Sequence, residues 1–267
     1  MPKVITERDG HVLVLTINRP EVRNCIDGET ASLLERAWKE FRDDDDLWVA
    51  ILTGAGDLSF CAGADLKNLD SLGPGRDVSS HARRRFINDG PGFIGYTRQT
   101  DVFKPILAAV NGYAFAGGLE LACLADIRIA AENAEFGVTC RKWNVPLVDG
   151  GTQRLPRIVG MGFAMELIIT GRVIDAAEAR RIGLVNEIVP RGHALARARE
   201  LAASICELPQ GALRTDKQAA VMGWGRPLAE GLRIEAEVGM DAIAGRAIRE
   251  GAAAFVEKRK PRYERDE

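Results

Sequence analysis

The 267-residue chain is long enough for one large hydrophobic core plus an appendage, and its 46% hydrophobic and 28% charged residues are typical of a soluble globular protein. Its formal net charge of −2 excludes a general attraction to nucleic acid or to anionic lipid. No basic–apolar signal or membrane-length apolar run occurs, and the five cysteines form no CxxC pair, so we expect a cytoplasmic protein with free thiols.

The first part of the chain alternates between strand and helix patterns. β-Branched residues flank the turn Asp9-Gly10, and apolar residues between Leu33 and Phe41 repeat at helical spacing. Strands are predicted at 4–8, 11–18 and 48–53, a helix at 27–42, a glycine-rich loop at 54–65, and a mostly helical stretch at 78–102 with a break near Gly90. Arg83 to Arg85 are interpreted as a solvated helix face, with contact to an anionic ligand as the alternative.

The stretch 108–131 joins a strand, a Gly-Gly pair and a helix. Gly117 and Gly118 precede a run of helix formers, and paired glycines allow the backbone to approach a ligand closely. The first N–H groups of a helix are unpaired and lie at the positive end of its dipole, so they can bind a negative oxygen. Glu120 places a carboxylate in the same first turn. A tight strand–helix turn with a solvated Glu120 is the alternative.

Beyond this stretch, strands and helices alternate up to about Pro190, and only helical periodicity follows. Strands are predicted at 127–130, 136–138 and 185–189, and helices at 163–170, 175–181, 194–207, 212–222, 228–249 and 251–259, with a further helix from Thr152 to a break at 160–162. This order predicts an α/β core, residues 1–193, followed by a helical region, residues 194–267.

Several short motifs are spread over nearly the whole chain, each weak alone. They are Asn18-Arg19-Pro20, Ser59 to Leu66 (SFCAGADL), Asn111-Gly112-Tyr113, Glu120-Leu121-Ala122, Asp126 to Ala130 (DIRIA), Phe136-Gly137, Gly150 to Leu155 (GGTQRL), Thr170-Gly171-Arg172 and Ala254 to Arg259 (AFVEKR). In this order and at these separations they resemble the enoyl-CoA hydratase/isomerase (crotonase) family.

The resemblance implies a spiral of ββα units with a helical C-terminal region that makes trimers, often paired into hexamers. Family members bind acyl-CoA thioesters and stabilise the enolate formed at the thioester carbonyl with two backbone N–H groups. By motif these N–H groups belong to Ala64 and Gly117, and one such donor is typically worth about 3–4 kcal/mol. The resemblance implies no metal and no cofactor, since CoA arrives as part of the substrate.

The resemblance also predicts where CoA lies. Lys258, on the last predicted helix, would approach a phosphate of CoA, either in its own subunit or in a neighbouring one. Solvent exposure is the alternative for each basic residue. The remaining predicted CoA contacts are Arg23, Ala62, Asp65, Leu66 and Lys67.

One position departs from the family pattern. Family hydratases add water across the C2–C3 double bond with two glutamates, of which the first corresponds to Glu120 and the second is Cys140 here. A thiol is a poor general acid at its ordinary pKa of about 8.5, so we interpret Cys140 as a small buried residue beside the substrate. Asp149 lies about one position from a catalytic Asp of other members, and it either faces the reacting carbons or caps the following helix.

The sequence therefore predicts an acyl-CoA-processing enzyme, nominally an enoyl-CoA hydratase, with Glu120 as its acid/base group. Double-bond isomerisation, or another reaction with one base, is an alternative within the family. A CoA-thioester-binding protein without catalysis is an alternative of another class. RNA binding, known for one family member, is disfavoured by the net charge of −2.

Overall fold

The computed structural model describes residues 1–75, 78–245 and 247–263, which form two compact units. The core unit contains residues 1–99 and 105–203, and the C-terminal unit contains residues 100–104 and 204–267. The division falls after Ala203 rather than after residue 193, because Ala194, Ala198 and Ala202 are buried and belong to the core unit. No helix in the described ranges is both long and apolar enough to cross a membrane.

Ten strands form two sheets in the part of the chain that the structure describes. The six-stranded sheet has the order β1-β2-β3-β5-β7-β10 and the four-stranded sheet the order β4-β6-β8-β9. The strands are β1 Val4–Asp9, β2 Val12–Ile17, β3 Val49–Gly54, β4 Ser59–Cys61, β5 Ile106–Val110, β6 Tyr113–Phe115, β7 Ile127–Ala131, β8 Glu135–Gly137, β9 Val173–Asp175 and β10 Glu187–Val189.

The helices are α1 Gly28–Asp43, α2 Ser80–Asp89, α3 Gly117–Leu124, α4 Gly151–Thr170, α5 Ala176–Arg181, α6 Ala194–Cys206, α7 Gln210–Gly223, α8 Leu228–Ala244 and α9 Ala247–Glu257. Asp27 caps α1 by accepting the Thr30 N–H, and Asp175 caps α5 by accepting the Glu178 N–H. Gly160 (φ +79°) kinks α4, at the predicted break.

The large sheet is parallel except at its edge, where β1 and β2 are antiparallel. Every residue of β3 and of β5 is buried, as expected for parallel strands that are covered on both faces. In the small sheet, β4 and β6 run parallel, so the segments that leave their carboxyl ends start side by side. Those segments carry Ala64 and Gly117, and the small sheet therefore positions both predicted donors.

Three sequence expectations about secondary structure need correction. The helix predicted over 228–249 ends at Ala244, and α9 begins at Ala247. The predicted helix over 78–102 ends at Asp89, because Gly90 is extended and Gly92 and Gly95 have φ angles of +118° and +87°. Residues 90–104 have no regular secondary structure. The three-residue strands β4, β6 and β9 were not predicted, since such short strands show no periodicity.

Candidate active site

A cavity of about 980 Å³ opens in the core unit, where the loops that follow β4 and β6 meet α3 and the chain before α4. Its wall contains every site residue predicted within this unit. These are Arg23, Ala62, Ala64, Asp65, Leu66, Lys67, Gly117, Glu120, Cys140 and Asp149. Lys258 belongs to the C-terminal unit, where it is exposed, and its contact with a phosphate stays a prediction.

The backbone N–H groups of Ala64 and Gly117 lie close together at the cavity wall. A Cβ built on Gly117 would lie 3.8 Å from the Ala64 nitrogen, and one built on Gly63 would lie 2.9 Å from the Gly117 nitrogen. Gly63 has a φ of +93°, so only a residue without a side chain fits this turn. Neither N–H donates to an acceptor within the described residues. Together they form a pair of free donors.

Ala116 immediately precedes α3 in an unusual backbone conformation, with φ +51° and ψ −120°. This region is sparsely populated for a residue with a side chain, and such strain occurs most often at functional sites. The Ala116 N–H donates to Gly137 at 2.9 Å, which ties the turn to β8. The next N–H along the chain is that of Gly117, which lines the cavity.

Glu120 is 3% exposed, and one of its two carboxylate oxygens is anchored. Its Oε1 accepts the backbone N–H groups of Asp149 (2.9 Å) and Gly151 (2.8 Å). Oε2 accepts no hydrogen bond from any described residue. Burial, followed by the neighbouring Asp149 carboxylate, raises the pKa of Glu120 to about 7. A carboxyl group with this pKa can accept or donate a proton at neutral pH.

Asp149 does not cap α4, so that alternative is wrong. The residue before α4 is Gly150, with a φ of +102°, and it has no side chain to cap the helix; Glu120 accepts the N–H of Gly151, the first residue of α4, instead. The Asp149 carboxylate instead points to the segment before β5, where it accepts the N–H of Phe93 at 2.7 Å and the hydroxyl of Thr97. Burial raises the pKa of Asp149, although these hydrogen bonds oppose the effect.

Cys140 lies in a short 3₁₀ helix, Thr139–Trp143, and is 6% exposed. Burial raises the pKa of its thiol above the ordinary value, so Cys140 is a neutral thiol at neutral pH. A neutral thiol cannot take over the general-base work of a glutamate. Cys140 thus shapes the cavity wall next to Glu120.

The carboxylate of Asp65 is hydrogen-bonded to protein groups and does not face the cavity. Arg19 donates to it at 2.9 Å and Asn68 at 3.0 Å, and the Lys67 N–H donates at 3.1 Å. Burial alone would raise the pKa of Asp65, but these hydrogen bonds outweigh it and lower the pKa. The buried pair of Arg19 and Asp65 fixes the loop that carries Ala64, a role that the sequence did not reveal.

The mouth of the cavity carries basic side chains, with Glu21 as an exposed acidic neighbour. Arg23 and Lys67 are exposed there, and the Arg23 guanidinium lies 5.9 Å from the centre of the Tyr113 ring. Arg83 also lines the cavity. For this arginine of the triplet, the position favours contact with an anionic ligand over a purely solvated helix face. Arg98 lines it too and was not predicted.

Solved structures share this fold along the full chain. The crystal structure of an enoyl-CoA hydratase from Mycobacterium tuberculosis H37Rv matches with a TM-score of 0.88 and 34% identity, covering 99% of both chains. That of an enoyl-CoA hydratase from Bacillus anthracis matches with a TM-score of 0.86 and 34% identity, covering 99% of this chain and 100% of the other. The fold defines an α/β enzyme of the crotonase type.

Sequence comparison identifies the family. The model of the family described as enoyl-CoA hydratase/isomerase matches residues 7–266. Enoyl-CoA hydratase EchA19 of Mycobacterium tuberculosis is 37% identical over 98% of this chain and 97% of its own length. The (E)-benzylidenesuccinyl-CoA hydratase of Thauera aromatica is 37% identical over 97% of this chain and 98% of its own. The chain belongs to the enoyl-CoA hydratase/isomerase family.

Proposed function

We propose that the protein hydrates a 2-enoyl-CoA thioester through an enolate held by Ala64 and Gly117. The observation that carries the proposal is the pair of free N–H donors beside the half-anchored carboxylate of Glu120. Donors fixed in advance stabilise negative charge where it develops, without reorganisation during the reaction. The two relatives named above are hydratases of CoA thioesters, which supports the same type of reaction here.

Glu120 is the principal acid/base group of the reaction, and Asp149 assists it at the attacking water. Its ionised form takes a proton from water, and the resulting hydroxide adds to C3 of the enoyl group. The C2–C3 electrons then move onto the thioester oxygen, where the N–H groups of Ala64 and Gly117 bind the oxyanion. The protonated Glu120 returns its proton to C2, which completes the addition of one water molecule. Its pKa of about 7 suits both steps.

Asp149 is the second acid/base group. It takes over the role of the second family glutamate, whose position is Cys140 in this chain. All three of its hydrogen bonds end on Oδ1, and Oδ2 accepts none from the described residues. Glu120 and Asp149 therefore both line the cavity with one oxygen anchored and one available. Two carboxylates can hold and orient the attacking water between them. Because the chain supplies every donor and acid/base group, this reaction requires no metal or redox cofactor.

Double-bond isomerisation is the second candidate, and the observation that favours it is the neutral thiol at Cys140. Moving a double bond needs removal of one proton and its return to another carbon, which Glu120 can do alone. A site without the second glutamate retains this chemistry even where hydration is slow. A protein that only binds CoA thioesters would not need Glu120 and Asp149 to line the cavity, so their position there speaks for an enzyme.

Turnover of crotonyl-CoA and of a 3-enoyl-CoA by the wild type and by Asp149→Asn tests these alternatives. We expect Asp149→Asn to lower hydration by about 10²-fold or more, because a positioned proton-transfer group is usually worth that much. Asp175→Asn is the control, since Asp175 caps α5 and does not line the cavity. Isomerisation without hydration in the wild type would replace the first candidate by the second, and no turnover of either would refute both.

We propose that the nucleotide part of CoA binds at the mouth of the cavity, beside Arg23, Ala62, Leu66 and Lys67. Lys258 is proposed to contact a CoA phosphate, which can be that of a neighbouring subunit. Exposed Arg and Lys side chains suit phosphate groups. Calorimetry with acetoacetyl-CoA and free CoA measures this binding. Arg23→Ala should weaken both ligands by a similar factor, because the contact is to the part they share. No heat with either ligand at millimolar concentration would refute it.

The C-terminal unit is proposed to form a trimer or a hexamer. Its helices expose large apolar side chains, among them Met240 (61%), Ile243 (55%) and Phe255 (86%). Contiguous exposed apolar surface usually marks an interface. Light scattering should give a mass of three or six chains at micromolar concentration, and a monomer would contradict the proposal. A cytoplasmic location remains the expectation from the sequence.

A further inference from the structure

Thr97 and Asp149 form a buried pair that lies outside the family motifs. Thr97 is 0% exposed and Asp149 is 1% exposed. The Thr97 hydroxyl donates to Oδ1 of Asp149, and the N–H groups of Phe93 (2.7 Å) and Ile94 (3.3 Å) donate to the same oxygen. Three donors converge on one carboxylate oxygen and fix how the side chain is rotated.

The turn that brings Thr97 to Asp149 depends on Gly92. Its φ is +118°, a conformation that residues with side chains rarely adopt. A Cβ built on Gly92 would overlap the Thr97 hydroxyl and would lie 2.8 Å from Oδ1 of Asp149. Because Gly92 has no side chain, the Thr97 hydroxyl can reach the Asp149 carboxylate.

Asp149 also connects this segment to the catalytic centre. Its backbone N–H donates to Oε1 of Glu120 at 2.9 Å. Ile94, whose N–H Asp149 accepts, lies against the oxyanion site, because a Cβ built on Gly117 would be 2.9 Å from the Ile94 Cδ1. Asp149 therefore links the two: its carboxylate holds the Ile94 backbone beside Gly117, and its backbone N–H anchors Glu120.

We infer that Thr97 is a positioning residue, whose hydroxyl holds Oδ1 of Asp149 so that Oδ2 is presented to the cavity. The inference rests on the proposed function, in which Asp149 is the second acid/base group. Thr97 itself contacts no reacting atom and acts through Asp149. Its hydroxyl also stabilises the ionised form of the carboxylate, because a hydrogen-bond donor favours the charged acceptor.

The charged groups that face Asp149 come from three elements. Glu120 is on α3, Arg154 is on α4 and donates to the Asp149 carbonyl oxygen at 3.0 Å, and Arg98 is on the same segment as Thr97. Burial raises the pKa of Asp149, and the hydrogen bond from Thr97 is the first of the effects that lower it. Loss of the hydroxyl removes that opposing effect, so the pKa of Asp149 should rise further.

Carboxyl-carbon NMR titration of the full-length protein measures the pKa of Asp149 directly, with Asp149→Asn to assign its signal. The variants are Thr97→Val, which removes the hydroxyl at nearly constant volume, and Thr97→Ser, which keeps it. Thr97→Ala is the second deletion, should valine prevent folding. Thr30→Val is the matched control, because the buried Thr30 hydroxyl donates to Asp27 at 2.7 Å and does not line the cavity. The pH profile of kcat for crotonyl-CoA is recorded for each.

We expect Thr97→Val and Thr97→Ala to raise the pKa of Asp149, and to move the limb of the kcat profile that Asp149 controls to higher pH. Thr97→Ser and Thr30→Val should leave both unchanged. An unchanged Asp149 pKa in the valine and alanine variants would overturn the inference. A raised pKa with an unmoved profile would support the role of Thr97 and would refute the catalytic role of Asp149, so the two failures are distinguishable.

Discussion

Replacement of Glu120 by glutamine should make the protein both less active and more stable. Glu120 is 3% exposed, and burial, followed by the Asp149 carboxylate, raises its pKa from 4.5 to about 7. At about 1.4 kcal/mol per pKa unit, ionisation of Glu120 costs about 3 kcal/mol more in the folded protein than in the unfolded chain. Glutamine carries no charge, and its amide oxygen can still accept the Asp149 and Gly151 N–H groups.

The sign of the pH dependence follows from the raised pKa. Between about pH 4.5 and 7 the folded protein holds a proton that the unfolded chain has released, so stability falls as the pH rises. The gain in the free energy of unfolding from Glu120→Gln should therefore be absent at about pH 4 and should reach about 3 kcal/mol at about pH 8.5. Denaturant unfolding at the two pH values measures this difference, with the exposed Glu40→Gln as control.

Turnover should change in the opposite direction. Crotonyl-CoA hydration by Glu120→Gln should fall by about 10²–10⁴-fold, the usual worth of a positioned proton-transfer group. Binding of acetoacetyl-CoA should change much less, because in the proposed mechanism the N–H groups of Ala64 and Gly117 hold the thioester oxygen. Equal stability of variant and wild type at about pH 8.5 would show that Glu120 ionises without cost, and unchanged turnover would show that another residue moves the protons.

Three further substitutions test other parts of the site. Cys140→Glu restores the glutamate of the family pattern and should increase crotonyl-CoA hydration; a loss of activity in a folded variant would contradict this. Gly118→Ala places a methyl group on the carbonyl oxygen of Cys61 and should lower the free energy of unfolding by about 1–3 kcal/mol, whereas wild-type stability would show that the helix start can shift. Arg19→Ala leaves Asp65 buried without its 2.9 Å partner and should cost about 3–5 kcal/mol in denaturant unfolding, part of which the double variant with Asp65→Ala should recover; additive losses would contradict the pairing.

The sequence predicted the long, regular elements well because their patterns are local. The run of buried residues in β3, Val49–Gly54, and the helical spacing of Leu34, Trp38 and Phe41 in α1 are visible without the structure. The strand β4, Ser59–Cys61, is too short to show a period, and its identity depends on pairing with β6. Propensity in 90–102 suggested helix, but the φ angles of Gly92 and Gly95 prevent it.

The candidate site divides in the same way. Ala64, Gly117 and Glu120 could be predicted as site residues because their motifs are contiguous and keep a family order, and all three line the cavity. Two buried contacts beside the site were missed, because Thr97 meets Asp149 across 52 residues and Arg19 meets Asp65 across 46. A sequence without an alignment shows no trace of such pairs. Asp149 could not be separated from a helix cap until its carboxylate was seen to point away from α4.

The parallel order of the large sheet determines when, during synthesis, the site can form. β3 pairs with β5 through Ala50 and Ile106, and β7 pairs with β10 through Ile129 and Glu187. Parallel partners are necessarily distant in the chain, so such sheets form slowly. A nascent chain that has left the ribosome only as far as β5 carries Ala64 but lacks Gly117, so it does not yet contain the proposed pair of oxyanion donors. In the proposed mechanism, substrate can therefore stabilise only the completed core.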